Sequence, residues 1–248
     1  MLTCEVREEF TYMIIGKCLK CNGKINHHNE TIIVKCVECG IREKAQIICA
    51  DGHYYCNVCA SSRVVDKIYE LLDKLDGKNP VDNAEILLAK CGISGNSPHP
   101  LTTAAFLIAY KNLTQKITYE DIINGVTKAT QIPGGWCGYY GNCGAAVGLG
   151  LSFAIINKST PIHDKERSIA NMVTSEGLVI VAEQGGPRCC IGSVRGVLEI
   201  SEILAEKYLD IKFPERKQKT IKCWQSQYNS ECKKERCLYY NNIERAVI

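Results

Sequence analysis

The chain has 248 residues, 46% hydrophobic and 23% charged, with a net charge of +3, an ordinary balance for a soluble globular protein long enough to bury a sizeable core. No apolar run reaches the ~20 residues needed to cross a bilayer, and a pI near 8.1 lies below the ~9 typical of nucleic-acid binders, so membrane and nucleic-acid roles are set aside. Sixteen cysteines are the departure from the ordinary.

The first residues show no charged-then-apolar leader pattern, which predicts a reducing, cytoplasmic compartment. There, C-x-x-C pairs are metal ligands or redox thiols more often than disulfides. Val6, Phe10 and Ile14 mark a short amphipathic helix. Cys18-Leu-Lys-Cys21 follows, then Cys36-Val-Glu-Cys39 after fourteen residues, and after nine more Cys49-x3-His53-x2-Cys56-x2-Cys59. Seven thiols and one imidazole make two sets of four, the ligand number of a structural zinc site. With few large apolar residues of its own, this stretch needs metal to fold.

Thr31-Ile-Ile-Val-Lys reads as a strand between the first two pairs. The run Cys49, His53, Cys56, Cys59 resembles the middle of a cross-braced RING-type finger, which implies one zinc on Cys18, Cys21, Cys49 and His53 and a second on Cys36, Cys39, Cys56 and Cys59. Consecutive sites are the alternative. Closed four-ligand sites leave no position for substrate, so the module, residues 1–62, is a scaffold or docking surface. His27 and His28 read as surface residues.

From residue 63 onward the period becomes helical. Val64, Val65, Ile68, Leu71, Leu72 and Leu75 mark one helix, closed by Gly77 and Pro80. Further helices are predicted over 81–90, 101–110 (almost wholly apolar and therefore central), 118–130 with a Thr118/Asp121 cap, 142–157, 165–183 and 193–209. Cys91 reads as a small buried hydrophobe, and His99, between two prolines, as a surface cap near the cysteine centre. The fold class is mainly α: a helical body, 63–248, behind a small N-terminal two-zinc finger of treble-clef or RING-like type, ending in an irregular basic tail.

Residues 131–150 hold seven glycines around Cys137 and Cys143, and Cys189 and Cys190 sit in a second glycine-flanked segment. As first-turn residues, Cys143 and Cys190 are expected to gain thiolate character from the helix dipole. The tail adds Cys223, Cys232 and Cys237. Seven thiols, Cys137, Cys143, Cys189, Cys190, Cys223, Cys232 and Cys237, are thus candidate ligands of an iron–sulfur cluster of the 4Fe-4S type, which takes four; two clusters would need Cys91 as an eighth. Arg188 is a nearby cation. A third zinc is the competing reading, and the vicinal pair Cys189 and Cys190 are the candidate catalytic thiols for sulfur chemistry. The chain shows no G-x-G-x-x-G, Walker, H-E-x-x-H or radical-type C-x3-C-x2-C motif.

W-C-G-Y-Y-G-N-C-G-A-A-V-G (136–148), S-T-P (159–161), N-M-V-T (171–174), G-G-P-R-C-C (185–190), the tail cysteines and D-G-H-Y-Y-C-N-V-C (51–59) resemble a family of cysteine-rich proteins of unknown function from methanogenic archaea and anaerobic bacteria. Leu238 stands where that family often has proline. A looser likeness is to redox proteins patterned C…G-C-A-x-x-G…C…C, from which Asn142-Cys143-Gly144-Ala145 departs. The resemblance implies an anaerobic setting and the company of radical or methyl-transfer enzymes. The expected function is therefore redox or sulfur transfer in anaerobic cofactor or methyl metabolism, with a redox or methyl-transfer enzyme as protein partner. The alternatives are a zinc-only adaptor that docks an enzyme and a cysteine-dependent sulfurtransferase or reductase.

Overall fold

The computed structural model describes residues 18–240 apart from Leu19, Asn22, 93–96 and Ser230; the helix expected around Val6, Phe10 and Ile14 lies outside them. Two strands open the described chain, β1 (Ile25–Lys35) and β2 (Arg42–Cys49), paired antiparallel from Lys35↔Arg42 to Ile25↔Cys49 with an irregularity between His27 and Ile32. The expected strand is the latter half of β1. Everything after the hairpin is helical or irregular: α1 (Asn57–Leu71), α2 (Pro80–Cys91), α3 (Pro98–Thr114), α4 (Tyr119–Thr130), the single turn α5 (Trp136–Tyr139), α6 (Gly144–Ile156), α7 (Lys165–Gln184) and α8 (Cys190–Leu209). The fold is mainly α with an N-terminal cysteine-rich module, as the sequence predicts.

Capping chemistry sets several of these boundaries. Asn79 accepts hydrogen bonds from the Val81 and Asp82 amides, and Pro80 occupies the first helical position of α2, where its missing N–H costs nothing. Thr118 and Asp121 form the reciprocal capping box of α4. α1 begins six residues earlier than its apolar period suggests, because Cys56 is its N-cap and accepts from the Cys59 amide. The boundary expected between residues 62 and 63 therefore lies inside one continuous helix, whose Val64, Val65 and Ile68 are buried in the helical body.

α3 is the axis of that body. Pro98 and every residue from Pro100 to Tyr110 are buried, as a helix covered on all sides requires, and α2, α4, α6 and α8 pack around it. Phe106 stacks on Phe153 of α6, with ring centroids 5.1 Å apart, and meets Phe213 of the tail edge-on at 5.6 Å; each such buried ring contributes about 1.5–3 kcal/mol. α7 crosses α6 closely. A Cβ at Gly150 would collide with the Thr174 hydroxyl and stand 2.7 Å from the Ala170 carbonyl. Gly150→Ala is accordingly expected to cost about 1–3 kcal/mol through overpacking, read as a fall of about 3–10 °C in the melting midpoint.

The tail is irregular, as expected, but firmly tied down. Arg216 bridges Glu199 (3.0 Å) and Glu202 (3.1 Å) on α8. The Tyr239 hydroxyl donates to Glu199 at 2.9 Å, and the Cys223 amide donates to the Tyr239 carbonyl at 2.9 Å. Its basic residues thus serve partly to dock it on an acidic helix face.

Candidate metal centres

In the N-terminal module, the hairpin decides which ligands meet. Cys36 and Cys39 lie in the tight turn beyond β1, closed by the Cys36 amide on the Ile41 carbonyl (2.8 Å) and by Gly40 at φ +73°. Cys49 ends β2 at the opposite end of the hairpin. The first knuckle, Cys18 and Cys21, joins Cys49 and His53, while Cys56 and Cys59, at the start of α1, join Cys36 and Cys39; within each set the four ligand atoms lie within 4.8 Å of one another. This is the cross-braced grouping, not the consecutive one.

A tetrahedron with Zn–S bonds of about 2.3 Å puts ligand sulfurs about 3.8 Å apart. Cys39 and Cys56 Sγ are 3.8 Å apart, Cys21 and Cys49 Sγ 3.4 Å, and Cys18 Sγ stands 3.7 Å from His53 Nδ1. Both sets are thus compatible with zinc or another metal ion. The turns also aim amides at the sulfurs: Lys20 at Cys18, Gly23 at Cys21, Asp51 at Cys49 and Cys56 at Cys36, each 3.4 Å. Burial pushes Cys36 up, but the amides of Cys39, Cys56 and Glu38 outweigh it and hold the thiol at about 6. In the other set, burial is likewise outweighed at Cys18, by the Cys21 and Lys20 amides. Each set thus has one thiol lowered toward the form a metal takes. His28 is exposed, and of the His27 side chain nothing is described.

The seven candidate thiols of the body do not form one group. Cys189, Cys223, Cys232 and Cys237 line a single cavity together with Gln225, Lys233 and Tyr240. Cys137, Cys143 and Cys190 do not line it; Cys143 feels Cys137, and Cys190 feels Cys143 and Cys137 ahead of Cys189. Cys189 is the N-cap of α8 and Cys190 its first residue, and this one-residue step divides the vicinal pair. Cys91 joins neither set. It is the buried last residue of α2, with Lys67 and Glu70 of α1 and the adjacent Lys90 as charged neighbours, the small hydrophobe the sequence suggests.

The expected gain of thiolate character at Cys143 and Cys190 is overturned. Burial pushes Cys190 up to about 12, with Arg188 pulling the other way, and raises Cys143 against the amides of Ala145 and Ala146. Loss of solvent exceeds the dipole's pull at a helix start. Cys189 is raised for the same first reason, and then by Cys237 and Cys223, although Gly192 donates its amide to the sulfur at 3.4 Å.

Three residues around these thiols have weak sequence signals. Arg195 sits on the apolar face of α8, 1% exposed; it forms a bidentate pair with Glu85 (2.7 and 2.8 Å), donates to Gln225 at 3.2 Å, and lies 5.4 Å from the Tyr239 ring centroid. Its Nη1 has no hydrogen-bond partner, and Cys223 acts on the guanidinium. Lys233, on the cavity wall, donates to the Gln184 and Gly185 carbonyls at 2.6 and 3.0 Å, and among the described residues no carboxylate pairs with it. A lone cation inside an apolar helix face was the available clue to Arg195; Lys233 is hidden in the basic run of the tail. Arg188, the cation the sequence singles out, is more exposed and pairs with Glu231 at 3.5 Å.

His99 is the third, and it is not a surface cap. It lies in the first turn of α3, faces the Ile132 carbonyl with Nδ1 at 3.0 Å, and lays its ring on Gly144, where any Cβ would collide with it. Burial pulls this imidazole below its ordinary range, with the Ile132 carbonyl opposing.

Taken together, these features define a helical cysteine-rich protein whose N-terminal module has two ligand sets that could each hold a metal ion. The chain belongs to a family of unknown function, DUF5714, whose model matches residues 68–240. The match takes in most of the helical body and the tail and leaves out all eight candidate ligands of the module. No curated protein and no solved structure matches the chain. Among the described residues no helix is long and apolar enough to cross a membrane.

Proposed function

We propose that the helical body is an electron-transfer unit carrying a 4Fe-4S cluster on Cys189, Cys223, Cys232 and Cys237, and that the N-terminal module, with two zinc ions, is its docking element. The observation that carries this reading is the convergence of four thiols on one cavity with a lysine on its wall and a buried arginine behind Cys223. Four thiolates are what such a cluster requires, and the assembled centre is anionic. Lys233 and the unpartnered Nη1 of Arg195 supply charge and a donor where that anion would lie.

Ligand spacing favours a cluster over a third zinc. Among the described residues only the two sets in the module bring three or more ligand atoms within 4.8 Å of one another. A cluster takes each thiolate on a different iron and so needs them farther apart than a single ion does. Bound there, it would supply one-electron transfer. The protein's own part is to hold the four sulfurs, to shield them with Gln225 and Tyr240, and to offset their charge.

A sulfurtransferase acting through Cys189 or Cys190 is less well supported, because Cys189 shares its cavity with three further thiols, a ligand set and not a lone nucleophile. The partner in this reading is a redox or methyl-transfer enzyme of an anaerobic pathway, and the exposed rings of Tyr139 and Tyr140 beside Cys137 offer it a surface. Anaerobically reconstituted protein should be brown, and Cys232→Ser should lose about four irons per chain together with the associated visible absorption. Unchanged iron in that variant, or zinc in place of iron in the parent, sinks the reading.

A further inference from the structure

The geometry points to an outer metal-binding set at the first site of the N-terminal module, made of Cys21, Cys49 and the Asp51 carboxylate, through which a divalent ion of the zinc class enters and leaves. This outer set presupposes the zinc reading of the module and owes nothing to the cavity of the body.

Distances define the set. Asp51 Oδ2 stands 3.2 Å from Cys21 Sγ and 4.0 Å from Cys49 Sγ, and the two sulfurs are 3.4 Å apart. Bonds of about 2.3 Å to sulfur and about 2.1 Å to oxygen put a sulfur and an oxygen about 3.6 Å apart around a tetrahedral ion, between the two separations observed. Cys18 and His53 complete the inner four-ligand set on the same Cys21–Cys49 edge, and Asp51 is not a member of it. Two ligand sets thus share one edge.

The local chain puts the carboxylate there. The turn from Cys49 to His53 is closed by the Cys49 amide on the His53 carbonyl (3.0 Å) and the Gly52 amide on the Cys49 carbonyl (2.8 Å), with Gly52 at φ +79°, which sets Asp51 in mid-turn. Gly23 lies against the same atoms. A Cβ there would stand 3.1 Å from Cys21 Sγ, 3.2 Å from Asp51 Oδ2 and 3.7 Å from Cys49 Sγ, crowding all three donors at once. Gly23 does not have a positive φ, so space and not backbone conformation accounts for glycine at this position. Asp51 and Cys21 are exposed while Cys18 and Cys49 are buried, so the carboxylate stands on the solvent side of the site.

A site closed by four ligands has no position for an incoming donor until one of its own bonds breaks. Asp51 relieves the first set of that requirement: its oxygen bonds the ion as Cys18 or His53 lets go, so the donor count is kept, and the reverse order seats an arriving ion whose waters leave to solvent. No oxidation state changes. The second set is built differently. Its four donors are thiols, and the acidic residue of the Cys36–Cys39 turn, Glu38, is drawn off to Arg63 at 3.1 Å. The module thus retains one ion and trades the other.

The test is zinc self-exchange in the anaerobically purified full chain. Protein holding natural zinc is mixed with an isotopically enriched zinc salt and desalted at intervals, and the isotope ratio of the bound zinc is read. Asp51→Asn, Gly23→Ala and Glu38→Gln are compared with the parent, with circular dichroism to establish folding. Asp51 is exposed, so its variant bears little on the fold, and Gly23→Ala keeps the carboxylate but takes away its room. The parent is expected to hold one zinc per set and to exchange the two in separate phases. Asp51→Asn and Gly23→Ala keep both ions and slow the faster phase about tenfold, whereas Glu38→Gln leaves both phases as in the parent. Two zincs with unaltered exchange in Asp51→Asn overturn the outer set alone, as does one common rate for both ions in the parent. Loss of a whole zinc from Asp51→Asn overturns the entry role, since the carboxylate is then a resident ligand. A parent with fewer than two zincs overturns the zinc reading of the module, and the outer set with it.

Discussion

Glu85→Gln is expected to lower the melting midpoint by roughly 5–10 °C, corresponding to about 2–3 kcal/mol for a chain of this length. Arg195 is 1% exposed and Glu85 24%, so among the described residues the carboxylate is the full charge paired with a guanidinium that water does not reach. Removing a partner from a wholly buried pair costs about 3–5 kcal/mol; the partial exposure of Glu85 places this case below that range. The two partners should behave unequally. An unpaired Glu85 can take up water, whereas an unpaired Arg195 is left buried with Gln225, Cys223 and the Tyr239 ring, so Arg195→Met is expected to be the milder change. The double variant Glu85→Leu/Arg195→Met should recover most of the loss, because apolar groups of similar volume replace a buried pair at little net cost. Thermal unfolding of the four proteins checks this. If Glu85→Gln melts with the parent, the pair contributes nothing and its placement beside Cys223 is incidental to stability.

Legibility in the sequence followed how local each determinant is. The helices of the body could be read from apolar period and caps, since Thr118 with Asp121, or Asn79 before Pro80, act within one turn. β2 carries no strand signal because Arg-Glu-Lys-Ala-Gln shows no period of two, and α1 starts ahead of its apolar period because its cap is a cysteine, Cys56, which is also a candidate ligand. The eight ligand residues of the module stand out by spacing alone. Their pairing across the hairpin does not follow from spacing, because it depends on Cys36 and Cys49 lying at opposite ends of two paired strands. The division of the body thiols was hidden for a related reason. Cys189 and Cys190 are neighbours in the chain, yet Cys189, the N-cap of α8, lines the cavity and Cys190, its first residue, does not. The dipole argument at Cys143 and Cys190 failed on burial, which no local pattern reports, and the burial of His99 depends on an absent side chain 45 positions away, at Gly144.

On the proposed two-zinc reading, Cys56→Ser should reduce the zinc content from two ions per chain to one and unfold the hairpin while leaving the helical body intact. Cys56 is 6% exposed, belongs to the set with Cys36, Cys39 and Cys59, and caps α1 through the Cys59 amide, so one substitution removes a ligand and weakens a helix start. A two-stranded hairpin does not hold its shape alone in water, and structural zinc contributes about 10–16 kcal/mol to comparable small modules; losing a ligand forfeits enough of this to expose β1 and β2. The body does not share that dependence. Its core runs from Val64 to Tyr239 without any of the eight ligands, and the family match begins only at residue 68. Hydrogen exchange should therefore show protection lost in residues 25–49 and in the first turn of α1, with α3, α6 and α8 unchanged. Cys91→Ala, which alters an isolated core thiol, should keep both zinc ions and the protected hairpin. If Cys56→Ser retained two zincs, the cross-braced assignment would fall. If it unfolded α3 as well, the module would be part of the body's folding unit, and α1 would be the element that couples them.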